Sequence, residues 1–316
     1  MSIQQHYQLY VQYLEANGFN GTPGNLYDSM HYIMQLRGKR IRPILCLMGA
    51  ESVGGNPQES LILAHAFEIF HNFSLVHDDI MDQSEMRRGM PTVHIQYNQP
   101  TAILAGDNML IKAYQSLHAY NGPNKDRIVE IFSAMASKVC EGQQADMNYS
   151  TQDDVGEDQY LQMIENKTAV LLGACLACGA LSANASEAIA NKLHAFAICI
   201  GLSFQLVDDY LDTFGESGTV GKVIGGDIME GKKTWLYIKS CEASKETKNW
   251  YLTTSGTSRV ALVKQQWIEM GLDKALLKKT AVYDQQGITL LAELESLGVS
   301  SKKLKELLSY LSDRSH

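Results

Sequence analysis

Two short stretches of this chain carry the same pattern of acidic residues, D-D-x-x-D. The first runs from Asp78 to Asp82 and the second from Asp208 to Asp212, and each follows a long apolar run. In a helix the first and fifth positions of the pattern lie on one face, about 6 Å apart, and the second lies roughly 100° around the axis. Each pattern therefore presents a pair of carboxylates with a third carboxylate beside it.

The position of both patterns favours a cation site. We predict that they fall in the last turns of their helices, where a carboxylate costs about 0.3–1 kcal/mol against the helix dipole. A solvated acidic helix end is the alternative for either pattern alone, but the repetition favours function. Oxygen ligands without His or Cys suit Mg²⁺, which is usually completed by substrate phosphates. The predicted metal ligands are Asp78, Asp79, Asp82, Asp208, Asp209 and Asp212.

Basic residues stand beside both patterns. Arg87 and Arg88 follow the first, and Lys222 and Lys232 follow the second. Guanidinium donors match the geometry of phosphate oxygens, so these groups could hold a diphosphate together with the metal ions. The basic segment 39–42 could hold a second phosphate-bearing ligand without metal. A solvated surface charge is the alternative for each residue taken alone.

The segments that must position these residues are helical. We predict helices over residues 3–17, 25–36, 43–53, 57–82, 100–120, 124–148, 159–183, 186–212, 257–271, 273–296 and 300–313, with another beginning at 232–234. No alternating Val, Ile and Thr run supports a strand. Because no linker divides the chain, we predict a single all-α domain of ten or more helices over residues 1–316. The helices that lead into the acidic patterns are apolar and aromatic, so we expect the domain to surround a central apolar cavity. A diphosphate held above an apolar cavity fits an isoprenoid substrate.

Composition argues against several other classes. The 316 residues carry a formal net charge of −8, which disfavours a nucleic-acid partner. The longest apolar run, 169–181, is too short to span a bilayer, so we predict no transmembrane segment. Cys175 and Cys178 form a C-x-x-C without a second pair, and we interpret them as a buried structural pair. Reduced thiols and the lack of an export signal at residues 1–13 predict a cytoplasmic protein.

Together these motifs resemble the trans-isoprenyl diphosphate synthases of the polyprenyl synthetase family, those making geranylgeranyl and farnesyl diphosphate included. The similar segments, in the family's order, are Gly38-Lys39-Arg40-Ile41-Arg42-Pro43, Asp78 to Asp82, Arg87-Arg88-Gly89, Lys167-Thr168, Phe204 to Asp212, and Gly221-Lys222 through Asp227 to Lys232. The resemblance covers nearly the whole chain. One departure is Arg37, where many members have a second glycine, and it removes no ligand.

The resemblance implies an enzyme that condenses isopentenyl diphosphate, head to tail, with an allylic primer such as dimethylallyl, geranyl or farnesyl diphosphate. Asp78, Asp82 and Asp208 would coordinate three Mg²⁺ ions on the allylic diphosphate. The other three acids, Asp79, Asp209 and Asp212, would complete the shell directly or through water. A homodimer is also implied, and the helix at 100–120 is its candidate interface.

Further roles implied by the resemblance fall to basic and polar residues. Arg87, Lys167 and Lys222 would hold the allylic diphosphate. Isopentenyl diphosphate would be held by Lys39, Arg42, His71 and Arg88. Thr168, Gln205 and the carbonyl of Lys167 would face the developing carbocation, and Lys232 would help the closing segment cover the site. We interpret His77, next to the acids, as a packing residue.

Product length depends on the residues one to two turns before Asp78, which would line the tunnel for the growing chain. Phe73 is large enough to form its floor, while Ser74 is small; ordinary core packing is the alternative for Phe73. A floor there predicts a product of fifteen or twenty carbons. The D-D-x-x-D without a two-residue insertion resembles the geranylgeranyl and longer-chain members more than the bacterial farnesyl type, which favours twenty.

Three other functions would use acidic helices. A terpene cyclase typically has one D-D-x-x-D and a different second metal motif, and it needs no isopentenyl site. A non-catalytic subunit of a heteromeric prenyltransferase tends to lose the acidic motifs, and both are intact here. A Ca²⁺-binding helical protein would carry an alternating D-x-D-x-D-G loop, which neither pattern has.

Overall fold

The computed structural model describes residues 1–152, 154–215, 225–244, 246–247, 251 and 256–312. Contacts between Cα atoms divide the chain into two units. The first unit comprises Met1–Ser133, Ala174–Leu193 and Leu294–Lys303; the second comprises Ala134–Gly173, His194–Glu293 and Leu304–His316. The organisation as one domain over residues 1–316 stays a prediction.

Helices make up most of the described chain, and the all-α prediction is confirmed. They are α1 (Ile3–Ala16), α2 (Gly24–Gln35), α3 (Ile41–Ser52), α4 (Leu61–Met81), α5 (Val93–Gln96), α6 (Gln99–Ala119), α7 (Lys125–Thr151), α8 (Glu157–Ile164), α9 (Val170–Ser182), α10 (Glu187–Phe214), α11 (Gly226–Glu230), α12 (Trp235–Ala243), α13 (Gly256–Glu269), α14 (Leu272–Ser296) and α15 (Lys302–Ser312). A 3₁₀ turn at Pro57–Ser60 precedes α4, and a π-helical turn at Glu165–Ala169 joins α8 to α9. Most predicted bounds agree with these to within a few residues. The short helices α5 and α11 were not predicted, and the predicted helices 57–82 and 159–183 include the 3₁₀ turn and the π-helical turn.

One short hairpin departs from the prediction that no strand is present. Strands β1 (Met86–Arg87) and β2 (Met90–Pro91) pair antiparallel. The two residues between them, Arg88 and Gly89, have φ angles of 54° and 77°. This left-handed pair closes a two-residue hairpin turn, for which glycine is favoured at the second position. Two-residue strands are too short to show an alternating pattern, so periodicity does not predict them.

Small residues bring helices close together in the first unit. Along α6, Ala102, Ala105 and Ala113 are fully buried, and α6 packs against α4. A Cβ atom on Gly106 would lie 2.2 Å from Nε2 of His77, which lies 3.1 Å from the carbonyl oxygen of Ile103. His77 therefore packs on α6 where glycine leaves room for its ring.

The C-x-x-C pair lies in the core of the same unit. Cys175 and Cys178 on α9 are buried free thiols, as predicted, and burial raises their pKa well above the usual value. A Cβ atom on Gly179 would lie 1.9 Å from the carbonyl oxygen of Cys46 on α3, and one on Gly49 would lie 2.2 Å from that of Leu176. Two glycines thus let the backbones of α3 and α9 approach closely.

Aromatic side chains form much of the core of the second unit. The ring of Tyr251 lies 4.5 Å from that of Tyr237 and stacks at 6.3 Å on that of Trp267. Beside this core, Glu157 at the start of α8 accepts hydrogen bonds from Trp235 on α12 at 3.1 Å, and it pairs with Lys239 at 2.5 Å and Lys279 at 2.7 Å. One carboxylate therefore links three helices.

Two helical stretches of the described residues, Glu157–Ser182 and Glu187–Phe214, are long and apolar enough to cross a membrane. In each, half or more of the most apolar window is buried inside the protein, 78% and 50% respectively. Buried core helices reach the same length and composition, so these features alone do not indicate a membrane span.

We predict that Glu157→Gln lowers the free energy of unfolding by about 1–2 kcal/mol at pH 7, a value reduced for solvent screening of a partly exposed group. Burial raises the pKa of Glu157, but the hydrogen bonds from Lys239, Lys279 and Trp235 outweigh it and lower that pKa to about 2. A depressed carboxyl pKa stabilises the protein above the usual value of 4.5, and this stabilisation is lost as the pH falls from there to about 2.

Urea unfolding at pH 7 and at pH 3 measures this difference. Glu242→Gln is the matched control, because Glu242 also pairs with Lys239 but is half exposed. We expect the control to change stability by less than about 0.5 kcal/mol. A Glu157→Gln protein as stable as the parent at pH 7 would contradict the assignment.

Candidate active site

The first acidic pattern occupies the last turn of α4, as predicted. The helix ends at Met81, and Asp82 is its C-cap. The three carboxylates differ in burial: Asp79 is fully buried, Asp78 is half-buried and Asp82 is exposed. The second acid of the pattern therefore points into the protein while the first and last lie nearer the surface.

Arg87 fills the space beside the buried acid. The hairpin brings its guanidinium back to α4, where Nε lies 2.8 Å from both carboxylate oxygens of Asp79 and Nη2 lies 2.7 Å from Oδ1. The same Nη2 lies 3.6 Å from Asp78. Burial raises the pKa of Asp79, and the Arg87 hydrogen bonds oppose that rise. Asp79 thus holds Arg87 in place, and its role as a metal ligand stays a prediction.

Four other predicted residues of the first unit are cationic or can become so. Lys39 and Arg88 are exposed, Arg42 is half-buried at the start of α3, and His71 is buried on α4. Burial lowers the pKa of His71 well below its usual value, and Arg42, Arg88, Arg87 and Arg40 lower it further. A neutral histidine among guanidinium groups is an environment suited to an anion.

The two predicted chain-length residues, Phe73 and Ser74, lie on α4 about one turn before Asp78. The ring of Phe73 is buried, 5.3 Å from that of Phe70 and 5.1 Å from that of His77. Ser74 is half-buried and donates a hydrogen bond to the carbonyl of His71 at 2.8 Å. Phe73 therefore continues an aromatic column within the first unit, which is compatible with a tunnel floor and with core packing.

The second acidic pattern lies in the last two turns of α10, in the second unit. Here too the second acid is the buried one: Asp209 accepts a short hydrogen bond from the hydroxyl of Tyr160, and Gln205 Nε2 lies 3.5 Å from it. Burial raises the pKa of Asp209 well above its usual value. The Asp212 carboxylate accepts the backbone N–H of Asp227 at 3.1 Å. These bonds fix the acidic helix end within its own unit.

Lys167 and Thr168 lie in the π-helical turn between α8 and α9. A Cβ atom on Gly142 of α7 would lie 2.3 Å from the backbone nitrogen of Lys167, so glycine lets the two backbones approach. The Lys167 ammonium lies 2.6 Å from the carboxylate of Asp146, one turn further along α7. Single π-helical turns are often found at functional sites.

A cavity of about 140 Å³ in the second unit collects several predicted residues. Those that line it are Lys167, Thr168, Gln205, Asp209 and Lys232. Lys232 lies 3.2 Å from Asp227 and 3.0 Å from Glu230; although burial lowers its pKa, these carboxylates raise it above the usual value. Lys222, also predicted, lies outside the described residues.

Asp146, Tyr160, Asp227 and Lys233 are among the further residues that line the cavity and were not predicted as site residues. Asp227 appeared only within a segment of the family resemblance. A signal for Asp146 exists, because Gly142 and Asp146 stand one turn apart on a helix where a glycine is otherwise unfavourable. Tyr160 gave no such signal, since a tyrosine in an amphipathic helix is ordinary.

The donor set fits magnesium. Within the described part of the chain, no three His, Cys, Asp or Glu side chains form a complete metal-binding group. The acidic patterns nevertheless supply the carboxylate oxygens that Mg²⁺ prefers, and Mg²⁺ commonly takes one or two carboxylates with substrate phosphates and water.

An all-α fold in which two helices end in D-D-x-x-D is that of a trans-isoprenyl diphosphate synthase, as the sequence predicted. The polyprenyl synthetase model matches residues 23–269, and the chain belongs to this family. Membership implies a prenyltransferase with Mg²⁺-dependent catalysis.

Named relatives agree with this assignment. The chain is 36% identical to the geranylgeranyl pyrophosphate synthase of Geoglobus acetivorans, over 93% of its own length and 92% of the relative's. It is 41% identical to the geranylgeranyl diphosphate synthase of Methanosarcina mazei, over 70% of its length and 68% of the relative's. A crystal structure of a geranylgeranyl pyrophosphate synthase superposes with a TM-score of 0.92 at 37% identity, covering 100% of this chain and 98% of the other.

We predict that Gly142→Ala lowers turnover at least about tenfold. The new Cβ atom would lie 2.3 Å from the Lys167 backbone, so the π-helical turn carrying Lys167 and Thr168 must move. A displacement of about 1 Å can cost a hundredfold in rate. Steady-state turnover with an allylic primer and isopentenyl diphosphate measures the effect.

Gly287→Ala is the matched control in the same unit. Its Cβ atom would meet Phe196 at 3.6 Å, which is ordinary contact, and alanine is favoured over glycine inside a helix. We expect turnover unchanged there. Normal turnover in Gly142→Ala would mean that this close approach does not position the lysine.

Proposed function

We propose that this chain condenses isopentenyl diphosphate with an allylic diphosphate, head to tail, and releases a trans-prenyl diphosphate of fifteen to twenty carbons, with twenty favoured. The observation that carries the proposal is the pair of D-D-x-x-D helix ends, one beside Arg87 and the other beside a lysine-lined cavity. The geranylgeranyl names of the relatives support the twenty-carbon product.

Three Mg²⁺ ions per site are proposed to bind the allylic diphosphate. Asp78, Asp82 and Asp208 would be their direct ligands, and Asp79, Asp209 and Asp212 would complete the shell, directly or through water. When bound, the ions would neutralise the negative charge that grows on the departing diphosphate. The two acidic helix ends would have to serve one diphosphate together.

Arg87, Lys167 and Lys222 are proposed to hold the same diphosphate. Two of the three are supported by a carboxylate: Asp79 holds Arg87, and Asp146 holds Lys167. Donors that are already oriented stabilise the charge of the transition state without reorganising, which raises kcat. The paired carboxylates thus prepare the cations for the leaving group.

The carbocation left by ionisation needs oxygen atoms and exclusion of water. Thr168, Gln205 and the carbonyl of Lys167 are proposed to face it, and the first two line the cavity of the second unit. Lys232 is proposed to help the closing segment exclude water that would quench the cation. The double bond of isopentenyl diphosphate then forms the new carbon–carbon bond, and the departing diphosphate takes the proton that is lost.

Isopentenyl diphosphate is proposed to bind Lys39, Arg42, His71 and Arg88 in the first unit. The guanidinium of Arg88 is placed for this by the loop before α3. The Nη1 atom of Arg88 lies 3.4 Å from the carbonyl oxygen of Leu36. A Cβ atom on Gly38 would lie 2.9 Å from the same Nη1 atom. Glycine at position 38 therefore leaves the space that the Arg88 guanidinium occupies.

Two broader properties belong to this proposal. We propose a homodimer through α6, supported by exposed apolar side chains on that helix: Ile103, Leu104, Ile111 and Tyr114. We also propose that the enzyme acts in the cytoplasm, in keeping with its free thiols.

Asp78→Ala or Asp208→Ala should lower turnover more than about a hundredfold, a barrier increase of roughly 2.7 kcal/mol. Each change removes a proposed direct ligand of the metal cluster. Turnover is measured at saturating Mg²⁺ with both diphosphates. The exposed acids Asp28 and Asp158 provide controls, and their alanine variants should retain the parent rate. Near-normal turnover in Asp78→Ala would contradict the assignment of Asp78 as a metal ligand.

Phe73→Ser should lengthen the product by at least one five-carbon unit, because removing the ring opens the proposed tunnel floor. Ser74→Phe should shorten it by adding a ring at the adjacent position. Mass spectrometry of the dephosphorylated products measures both. An unchanged product in Phe73→Ser would make Phe73 an ordinary core residue.

A further inference from the structure

The guanidinium of Arg40 is buried between the loop that precedes α3 and helix α4. Arg40 caps α3 in the left-handed conformation, with φ 50° and ψ 39°. Its Nη2 donates to the carbonyl oxygens of Met34 at 2.6 Å and Leu36 at 2.8 Å, and its Nη1 donates to Oε1 of Glu68 at 2.6 Å. One side chain therefore ties the end of α2 and the loop after it to the middle of α4.

Glu68 is the counter-charge of this guanidinium and is itself almost fully buried, with a side-chain exposure of 1%. Asn72, one turn further along α4, donates to the backbone carbonyl of Glu68 at 2.8 Å and to its Oε1 at 3.2 Å. The carboxylate is thus held by two donors in a fixed rotamer. A non-glycine residue rarely adopts the left-handed region, so the conformation of Arg40 depends on such fixed partners.

The pair lies among the residues proposed to bind isopentenyl diphosphate. Lys39 precedes Arg40, and Arg42 follows it by two positions. On α4, His71 stands three positions after Glu68, on the same face of the helix. The carbonyl of Leu36 that accepts from Arg40 also accepts from Arg88 at 3.4 Å. Lys39, Arg42 and His71 therefore lie within three positions of Arg40 or Glu68, and Arg88 shares an acceptor with Arg40.

Charge gives the pair a second effect. Burial lowers the pKa of Arg42 and of Arg88, and the negative charge of Glu68 opposes this shift for both, whereas the charge of Arg40 adds to it for Arg88. Arginine stays protonated in proteins, so the effect of Glu68 is to offset part of the cost of burying these two charges.

We propose that Arg40 and Glu68 are positioning residues for isopentenyl diphosphate: their buried ion pair sets the distance between the cations of segment 39–42 and His71 on α4. This inference rests on the proposed function. Arg40 does not touch the substrate; it fixes the loop that does. A lysine in its place cannot donate to both carbonyls and the carboxylate with the same geometry.

The test measures steady-state kinetics of Arg40→Lys and Glu68→Gln. We expect the KM for isopentenyl diphosphate to rise at least tenfold in each. The KM for the allylic primer should change less than threefold. The slow hydrolysis of the allylic diphosphate, measured with Mg²⁺ and without isopentenyl diphosphate, should keep the parent rate, because it uses the other site.

The double variant Arg40→Met/Glu68→Met keeps the test decisive if a single variant fails to fold. Exchanging a buried ion pair for apolar side chains of similar volume is often neutral for stability. Because this variant lacks the ion pair, it should also show the tenfold rise in KM for isopentenyl diphosphate.

His6→Gln is the matched control. His6 is buried and lies 3.0 Å from Glu51, at the other end of α3 in the same unit. The His6→Gln substitution should lower the melting temperature without changing the KM for isopentenyl diphosphate or for the allylic primer. If the Arg40 and Glu68 variants leave the KM for isopentenyl diphosphate unchanged, or raise both KM values equally, the pair has only a structural role. A parent protein that transfers no prenyl group would instead overturn the proposed function.

Discussion

A cation inside a protein needs a counter-charge, and four basic groups in or beside the candidate site have one. Arg87 is bound by Asp79, Lys167 by Asp146, Lys232 by Asp227, and Arg40 by Glu68. In each pair the carboxylate restrains a side chain that would otherwise be flexible. Only Arg40 and Glu68 are both fully buried, and removing either would leave the other charge buried without a partner. Lys167 and Lys232 are partly exposed, so their carboxylates mainly orient them.

The three acids of each D-D-x-x-D pattern differ in burial and in their partners. The second acid of each is buried and bound to a donor of the protein, Arg87 in one case and Tyr160 in the other. The first and last acids lie nearer the surface. Each pattern thus combines a buried acid, bound to a donor of the protein, with two less buried carboxylates suited to a hard cation. The buried acid keeps its proposed place in the metal shell, and its protein partner fixes its orientation there.

The sequence predicted the helices and the acidic patterns because both depend on local periodicity. The apolar runs before Asp78 and Asp208 determine where α4 and α10 end, and those ends carry the acids. The hairpin of Arg87 was missed because it consists of two-residue strands, and the π-helical turn at Lys167 was missed because it differs from an α-helix by one residue. Such features follow from packing between distant segments, as at Gly142, and not from local preference.

The carboxylates that pair with the basic residues could not be predicted from a single sequence either. Asp146 is far along the chain from Lys167, and Glu68 is far from Arg40. Only the fold brings each pair together. The family resemblance supplied the roles of the basic residues, whereas the structure supplies the carboxylates that hold them.

The most direct test of the account is the reaction of the full chain with isopentenyl diphosphate, farnesyl diphosphate and Mg²⁺, followed by analysis of product length and of released diphosphate. The account predicts a linear twenty-carbon prenyl diphosphate with one diphosphate released per condensation, and no product when Mg²⁺ is removed with a chelator. A cyclised hydrocarbon formed without consumption of isopentenyl diphosphate, or condensation at an undiminished rate without divalent metal, would contradict it.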